Sequence, residues 1–529
     1  MTGTEVFDPT MHIEVLRENL PMKRYVSRGD TRDVVDIAGP HEEADRAALR
    51  AIRFTRQDKT PRFQPVLGSA GMGKTHLFWV LRDLAADPKN GQYSTVYVPS
   101  PPSPVRVPLH FYSCLVDEAG DRFFELASSA LLGKYGASAD MDTDRVNAVM
   151  ERALMDYPGI SSDAVNVLLH YALDNGKRAL ARRWLLGDAL TSAELEQLSV
   201  RTILEEDDVT LAAFKLLADN SDSPIVLFVD EMEGPFNTHG EEGERQFLEV
   251  IKRLYNECKN LVIVASCLSE IWPRIFEMAD APMRSRMEAP VNLRAFSEQD
   301  VANFVAQSMA KYWEEQNMEP PPDPLFPLTA RHIHEAFVKS RGVPREAIRQ
   351  IINLLDTILL GRVETAVAPQ DDHVIKLTSS VVIGGVVKAV LIAGIRAGVD
   401  VRLKTASGGG AKQASAVVSM TRRGITRQVS VDVPSVKNWD RSGGVAAFYS
   451  AQRIKNTMDD GTAELGIVAV PEGTKGAKFE SMTAELGSRL IVIRFNETSA
   501  TRLVASTNKA QLDDSEREMF REVVERVFS

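Results

Sequence analysis

Gly68, Ser69, Ala70, Gly71, Met72, Gly73, Lys74 and Thr75 fit the pattern G-x-x-x-x-G-K-[ST], set between an apolar run at 63–67 and a helical stretch at 75–86. Strand, glycine-rich turn and helix in that order constrain the fold more than anything else in the chain. The glycines let backbone N–H groups turn around phosphate oxygens with no Cβ in the way. Lys74 is placed to reach β- and γ-phosphates, and the Thr75 hydroxyl to meet Mg2+. The expected ligand is a nucleoside triphosphate, held by Gly68 to Thr75 and the adjoining His76. The other reading of the stretch is a glycine-rich turn with no ligand.

The chain has 529 residues, too many for one ordinary core, so about three domains, or two with insertions, are expected. Hydrophobic residues make up 44% and charged residues 26%, a balance that suggests neither disorder nor a membrane class. Cys114, Cys258 and Cys267 are far apart with no C-x-x-C pair, which argues against a disulfide framework and against a zinc site. With no basic and apolar leader at the N-terminus, a reducing cytoplasm is the expected location. The apolar stretch at 381–399 contains Lys388, Arg396 and several glycines, and reads as a buried helix rather than a membrane span. From residue 371 onward 22 Lys and Arg face 18 Asp and Glu, so the acidic excess lies in the first 370 residues. Weak positive charge in the tail permits nucleic-acid contact without demanding it.

Helical periodicity at 41–56 marks a lead-in that can pack over a base. A strand is expected at 95–98, then a proline-rich turn, then helices over 109–220 with an insertion near 134–204. The all-apolar run 225–229 is a central parallel strand, and Asp230 and Glu231 sit at its carboxyl end, where open α/β sheets bind ligands. Further strands are expected at 261–265, ending in Ser266, and at 289–293. Residues 297–362 read as helices only, one opened by Ser297 and another by Pro344. Asp230 is the candidate Mg2+ ligand beside Thr75, and Glu231 the candidate base that polarises water. The alternative is a helix cap and a solvated carboxylate.

Over roughly residues 20–362 this pattern resembles the AAA+ ATPases, and within them the clamp-loader and origin-recognition initiator branch. Met283-Arg284-Ser285-Arg286-Met287 is similar to the Ser-Arg-Cys element of clamp loaders, and Gly342-Val343-Pro344-Arg345 to the Gly-x-Pro-Arg that opens a lid helix. The resemblance implies ATP as the nucleotide, Arg286 as an arginine finger acting on a neighbouring subunit, with Arg284 the competing choice, Arg345 as a γ-phosphate sensor and Ser266 at the sensor-1 position. It also implies assembly into a homo-oligomer, since a finger supplied in trans needs a neighbour.

Beyond a linker around 364–372 come a long helix, strands at 414–420 and 428–433, a helix near 445–458, strands at 466–470 and 490–495, and a last helix opened by Asp513 and Glu516. This order resembles the PD-(D/E)xK nuclease-like fold over about 377–500, whose active members use an Asp and a Glu-x-Lys to bind metal and activate water. Asp432 stands at the acid position and Pro434 at the lysine position, Lys437 is the alternative lysine, and 414–420 offers no aspartate, so cleavage is not expected. Gly408 to Gly410 reads as a flexible hairpin. Trp439, Arg441, Arg422 and Arg423 are a candidate nucleic-acid surface, or else a solvated basic face.

The expected architecture is α/β: a P-loop AAA+ parallel sheet core over 1–296, a helical lid over 297–362, and a restriction-endonuclease-like α/β domain over 372–529. The expected function is an ATP-dependent oligomerising switch acting on DNA, in transposition, replication or phage-defence machinery, with other proteins of such a system as further partners and no membrane. The alternatives are a signalling or scaffolding ATPase with a protein-binding tail, and an ATP-gated nuclease.

Overall fold

The computed structural model describes residues 9–22, 29, 35–87, 89, 92–136, 143–156, 161–188, 190–361, 377–404, 413–436, 438–441, 443–508 and 511–529. The linker expected around 364–372, the Gly408 to Gly410 hairpin and Lys437 lie outside them. The chain divides into two compact units that do not follow sequence order. One comprises residues 1–100, 223–233 and 259–373, and the other 101–222, 234–258 and 374–529.

The first unit is built on a five-stranded parallel sheet of β1 (Arg62–Leu67), β2 (Ser94–Val98), β3 (Ile225–Val229), β4 (Leu261–Cys267) and β5 (Val291–Asn292), in the order β2-β3-β4-β1-β5. Every residue of β3 and β4 is buried, as near-continuous apolar runs require when both faces of a parallel sheet are covered. Register then aligns the carboxyl ends: Val229 pairs with Val98 and Ala265, and Leu67 with Cys267 and Asn292. Asp230 and Gly68 therefore leave the sheet on the same edge.

The strand expected at 289–293 is shorter than the apolar pattern suggests, because Pro65 in β1 has no N–H to give to a partner. The Gln64 side chain donates to Ala289 O at 2.9 Å in that stretch, and the ladder with β5 begins only at Val66. Helix Lys74–Ala86 follows the glycine-rich turn, burying Leu77, Phe78 and Leu81 against β3 and β4 residues Val226, Phe228, Val262 and Val264.

Three helices close this unit: Glu298–Glu315, Ala330–Ser340 and Pro344–Leu360. Ser297 opens the first through a reciprocal cap with Asp300, and Pro344 stands at the start of the third, where its fixed φ costs nothing. Helix Pro9–Glu18 packs into the same core through Leu16 and is fixed to it by Arg17 Nε donating to Leu359 O (2.9 Å) and Tyr312 Oη donating to Asn19 O (2.7 Å).

The second unit holds helices Val107–Ala119, Asp121–Tyr135, Thr143–Asp156, Ser161–Leu173, Arg178–Leu185, Ser192–Gln197 and Asp207–Asp219, with helix Gly234–Glu257 broken at Gly240. Its sheet runs β10-β9-β8-β7-β6, from β6 (Asp400–Lys404), β7 (Ala416–Arg422), β8 (Ile425–Asp432), β9 (Leu465–Pro471) and β10 (Leu490–Phe495). β6, β7 and β8 are antiparallel, whereas β8, β9 and β10 are parallel. The edge strand β6 was not expected: Asp-Val-Arg-Leu-Lys is a short run in which exposed charges alternate with the half-buried Val401 and Leu403.

Helix Ser379–Arg396 is long and apolar enough to cross a membrane by length and composition, and 72% of it is buried. Val382, Ile383, Val386 and Val390 pack with Val418, Val429, Ile467 and Leu503. A Cβ on Gly384 would come within 2.7 Å of Pro102 O, so glycine is what lets the helix lie against that backbone. Asp513 and Glu516 form the expected capping box of helix Asp514–Val527.

Candidate nucleotide and metal site

The turn from β1 into helix Lys74–Ala86 has Gly71 at φ 82° and Gly73 at φ 91°, left-handed geometry that a side chain would strain. A Cβ on Gly71 would also lie 3.0 Å from Arg345 Cβ. The same spot carries a backbone bond, Arg345 N donating to Gly71 O at 3.1 Å, which seats the start of helix Pro344–Leu360 on the loop. Lys74 Nζ arches over the loop, donating to Gly68 O (2.8 Å) and Ser69 O (3.3 Å).

Across the sheet edge, Thr75 Oγ1 donates to Asp230 Oδ2 at 2.7 Å. Asp230 is only 2% exposed, a burial a carboxylate tolerates when its oxygens are bonded. Tyr97 Oη donates to Oδ2 at 2.9 Å, and Ser266 Oγ donates to Oδ1. Ser266 Oγ also accepts from Glu231 N at 3.2 Å. Glu231 itself is exposed and held at φ 55°, a conformation that β- and γ-substituted side chains seldom adopt and that clusters at functional positions. Partial loss of hydration against the protein wall, then the carboxylates of Asp230 and Glu233, raise its pKa, while Lys74 and Arg345 pull it down. A carboxylate so placed is a stronger base than one in open water.

Lys74, Thr75, Asp230, Glu231, Ser266 and Arg345 thus converge at one edge of the sheet. Thr75 Oγ1 and Asp230 Oδ2 are hard oxygen donors side by side, a donor set that fits Mg2+. Tyr97 and Glu233 belong to the neighbourhood and were not foreseen: Glu233 Oε2 accepts from Leu268 N at 3.2 Å. The one sequence signal for Tyr97 was its place near the end of a strand beside β3. His76 points elsewhere, with Nε2 3.0 Å from Asp36 Oδ1.

Arg286 is not brought to this loop. Met287 bridges to Phe63 and Glu288 N donates to Phe63 O at 2.9 Å, which ties the segment to the opening of β1, about 16 Å along the strand from Gly68. Arg284, the last residue of helix Ala281–Arg284, lies over the Phe276 ring at 5.9 Å.

In the second unit Asp432 is wholly buried. It accepts from Arg453 Nε (2.7 Å), Arg106 (3.2 Å), Ser415 Oγ (3.1 Å) and Val433 N (2.7 Å). Glu205 joins the group, 3.3 Å from Arg106 and 3.8 Å from Arg453. The guanidiniums of Arg106 and Arg453 thus occupy the Asp432 carboxylate. Trp439 corrects an expectation: it is 1% exposed and packs on Phe495 in the core, so it offers no face to a nucleic acid. Its sequence neighbours Asn438 and Asp440 are polar, which made a buried position look like a surface one. Arg423 forms the turn between β7 and β8 at φ 50°, and Arg422 lies over the Phe528 ring.

No protein-family model and no curated protein matches the chain. Among solved structures it is similar to the Aeropyrum pernix ORC2 protein in ADPNP–ADP complexes, with 13% identity, a TM-score of 0.34, and 70% of this chain and 78% of that one covered. It is similar also to the Aeropyrum pernix ORC1 protein in complex with DNA, at 14% identity and a TM-score of 0.31 over 86% and 84% of the two chains. The Walker-type ATPase paby2304 of Pyrococcus abyssi is another, at 13% identity and a TM-score of 0.30 over 72% and 83%.

Proposed function

We propose that this chain is an ATP-dependent, oligomerising AAA+ switch that acts on DNA. The observation that carries the reading is the 2.7 Å contact of Thr75 Oγ1 with the buried Asp230, beside a glycine-turned loop and an exposed Glu231 held at positive φ. In this reading Gly68 to Thr75 cradle the phosphates, with His76 in the adjoining turn. Thr75 and Asp230 hold Mg2+, which when bound neutralises phosphate charge. Glu231 takes a proton from the attacking water, Ser266 holds the Asp230 carboxylate and the backbone of Glu231, and Arg345, seated on Gly71, faces the γ-phosphate from the lid. Arg286 serves a neighbouring subunit's site, in keeping with its distance from its own loop. The domain scheme that goes with this is a nucleotide core over 1–296, a lid over 297–362 and a nuclease-like module over 372–529.

The order of helix, antiparallel strands, helix and parallel strands in the second unit supports the nuclease-like comparison, and the ion group at Asp432 supports a module that docks rather than cuts. Burial of Trp439 removes one argument for a DNA face and favours, as the second reading, a tail that binds protein. ATP binding and phosphate release separate these from a chain that binds no nucleotide: Lys74→Ala should lose binding, and Glu231→Gln should bind ATP but release phosphate at least a hundredfold more slowly. Unchanged ATP affinity in a folded Lys74→Ala protein removes the basis of the proposal. DNA affinity that falls with salt separates the DNA reading from the protein-binding one.

A further inference from the structure

Asp36 and His41 precede helix Glu42–Asp58, and His76 lies one residue past Thr75; the fold brings all three to one point. Asp36 Oδ1 is 2.6 Å from His41 Nε2 and 3.0 Å from His76 Nε2. One donor atom from each residue lies within 4.8 Å of the others. The two imidazoles are inclined at 62° with centroids 5.8 Å apart, so the rings are not stacked and both Nε2 atoms face the same oxygen.

His41 carries a further mark. Its Nδ1 is 2.7 Å from Asp45 Oδ2, the carboxylate–histidine arrangement that orients metal-bound imidazoles and raises their basicity. The other oxygen of Asp45 is buried with no hydrogen-bond partner, leaving negative charge in the interior that a cation would offset. His41 is 7% exposed whereas the Asp36 side chain is 45% exposed, so an ion can enter from the Asp36 side.

Two imidazole nitrogens and one carboxylate oxygen form a borderline donor set that suits Zn2+ and its first-row neighbours rather than Mg2+. Ligand atoms bound tetrahedrally at about 2.0–2.2 Å sit roughly 3.3–3.6 Å apart, so an ion would replace the two hydrogen bonds at Asp36 by spreading these atoms less than about 1 Å. We infer that Asp36, His41 and His76 form a binding site for a Zn2+-class divalent ion, with Asp45 as the outer carboxylate and water completing the coordination. The ion would pin the segment ahead of helix Glu42–Asp58 to the helix that begins with Lys74 and Thr75. Its effect on nucleotide affinity rests on the ATP reading; its binding does not.

The test uses the full chain, stripped with chelator and free of nucleotide, titrated with Zn2+ in a calorimeter. One ion per chain is expected, with affinity lowered at least tenfold in Asp36→Asn and His41→Gln and about 10–100-fold in Asp45→Asn. Lys74→Ala should bind Zn2+ as the wild type does, so failure of the nucleotide reading is distinguishable from failure of this one. Should the ligand variants not fold, two wild-type measurements decide. Zinc-edge absorption should show imidazole and oxygen with no sulfur, and Zn2+ should protect His41 and His76 from diethylpyrocarbonate. Absence of stoichiometric binding, sulfur ligation, unaltered modification of both histidines, or wild-type affinity in folded Asp36→Asn and His41→Gln overturns the site.

Discussion

Ser266 and Asp230 are joined side chain to side chain within the sheet edge: the serine hydroxyl donates to Oδ1 of the aspartate and accepts the backbone N–H of Glu231. One hydroxyl therefore holds the Asp230 carboxylate and the backbone of Glu231. Ser266→Ala should leave ATP affinity within a factor of about three while lowering kcat tenfold or more, since the transition state needs both carboxylates in place. Leaving the buried Asp230 oxygen short of one donor should also cost about 1–3 kcal/mol of stability. Steady-state hydrolysis, read with a separate ATP-binding titration, checks the split between kcat and affinity.

Arg286→Ala should slow hydrolysis by about 10³-fold and spare ATP binding by the single chain, because its segment is anchored at the far end of β1 from its own loop. Mixed with Lys74→Ala, it should regain part of the lost rate. A Lys74→Ala chain still offers its arginine, and an Arg286→Ala chain still offers a pocket. No recovery in assemblies shown to contain both chains argues against this arginine acting in trans.

The ion group in the second unit makes a different forecast. Burial opposes the charge of Arg453, and Asp432 and Glu205 more than offset it, so its pKa is raised. Arg453→Met leaves the fully buried Asp432 with one guanidinium fewer and should destabilise the fold by about 3–5 kcal/mol. Adding Asp432→Leu should restore much of that loss, which denaturant midpoints for the two single variants and the double would reveal. Wild type should not nick DNA with Mg2+ or Mn2+. Metal-dependent nicking that disappears in Asp432→Asn would give the carboxylate a cutting role instead.

His170 supplies the pH dependence. Burial, and next the charge of Lys177, lower its pKa from 6.5 to about 4 in the folded chain, against weaker pulls from Asp174 and the Leu198 backbone. The native state therefore favours the neutral ring: its contribution is present above pH 6.5 and is lost as pH falls toward 4, by on the order of 3 kcal/mol. His170→Gln should flatten the fall in melting temperature across that window relative to wild type. Parallel curves for the two proteins would place the acid sensitivity elsewhere.

Much of the first sheet was legible because its strands are apolar runs bounded by chemistry: Ile225–Val229 ends at two acids, and β1 ends at the glycine turn. Caps were legible for the same local reason, as Ser297 and Asp513 show. Other features depend on partners distant in sequence. Asp-Val-Arg-Leu-Lys alternates polar and apolar as a half-covered strand does, but five residues are too short a run to stand out until β7 pairs with it. Asp36 and His41, far from His76 in sequence, meet it only after the lead-in folds back on the helix behind the phosphate loop. Trp439 looked like a surface aromatic because its neighbours are polar, and only packing on Phe495 places it inside.

The ion group also sets a timetable for the nascent chain. Arg106 and Glu205, which pair with each other, are made early, but the other two members of the group, Asp432 and Arg453, emerge far later. At ~5–20 residues per second, roughly ten to forty-five seconds of translation separate Glu205 from Asp432. Until then Arg106 and Glu205, just ahead of helices Val107–Ala119 and Asp207–Asp219, have only each other for charge, and the four-member group is incomplete. That part of the chain should consequently acquire its full protease resistance only once Arg453 has emerged, and truncation anywhere before Asp432 should leave it more easily cleaved.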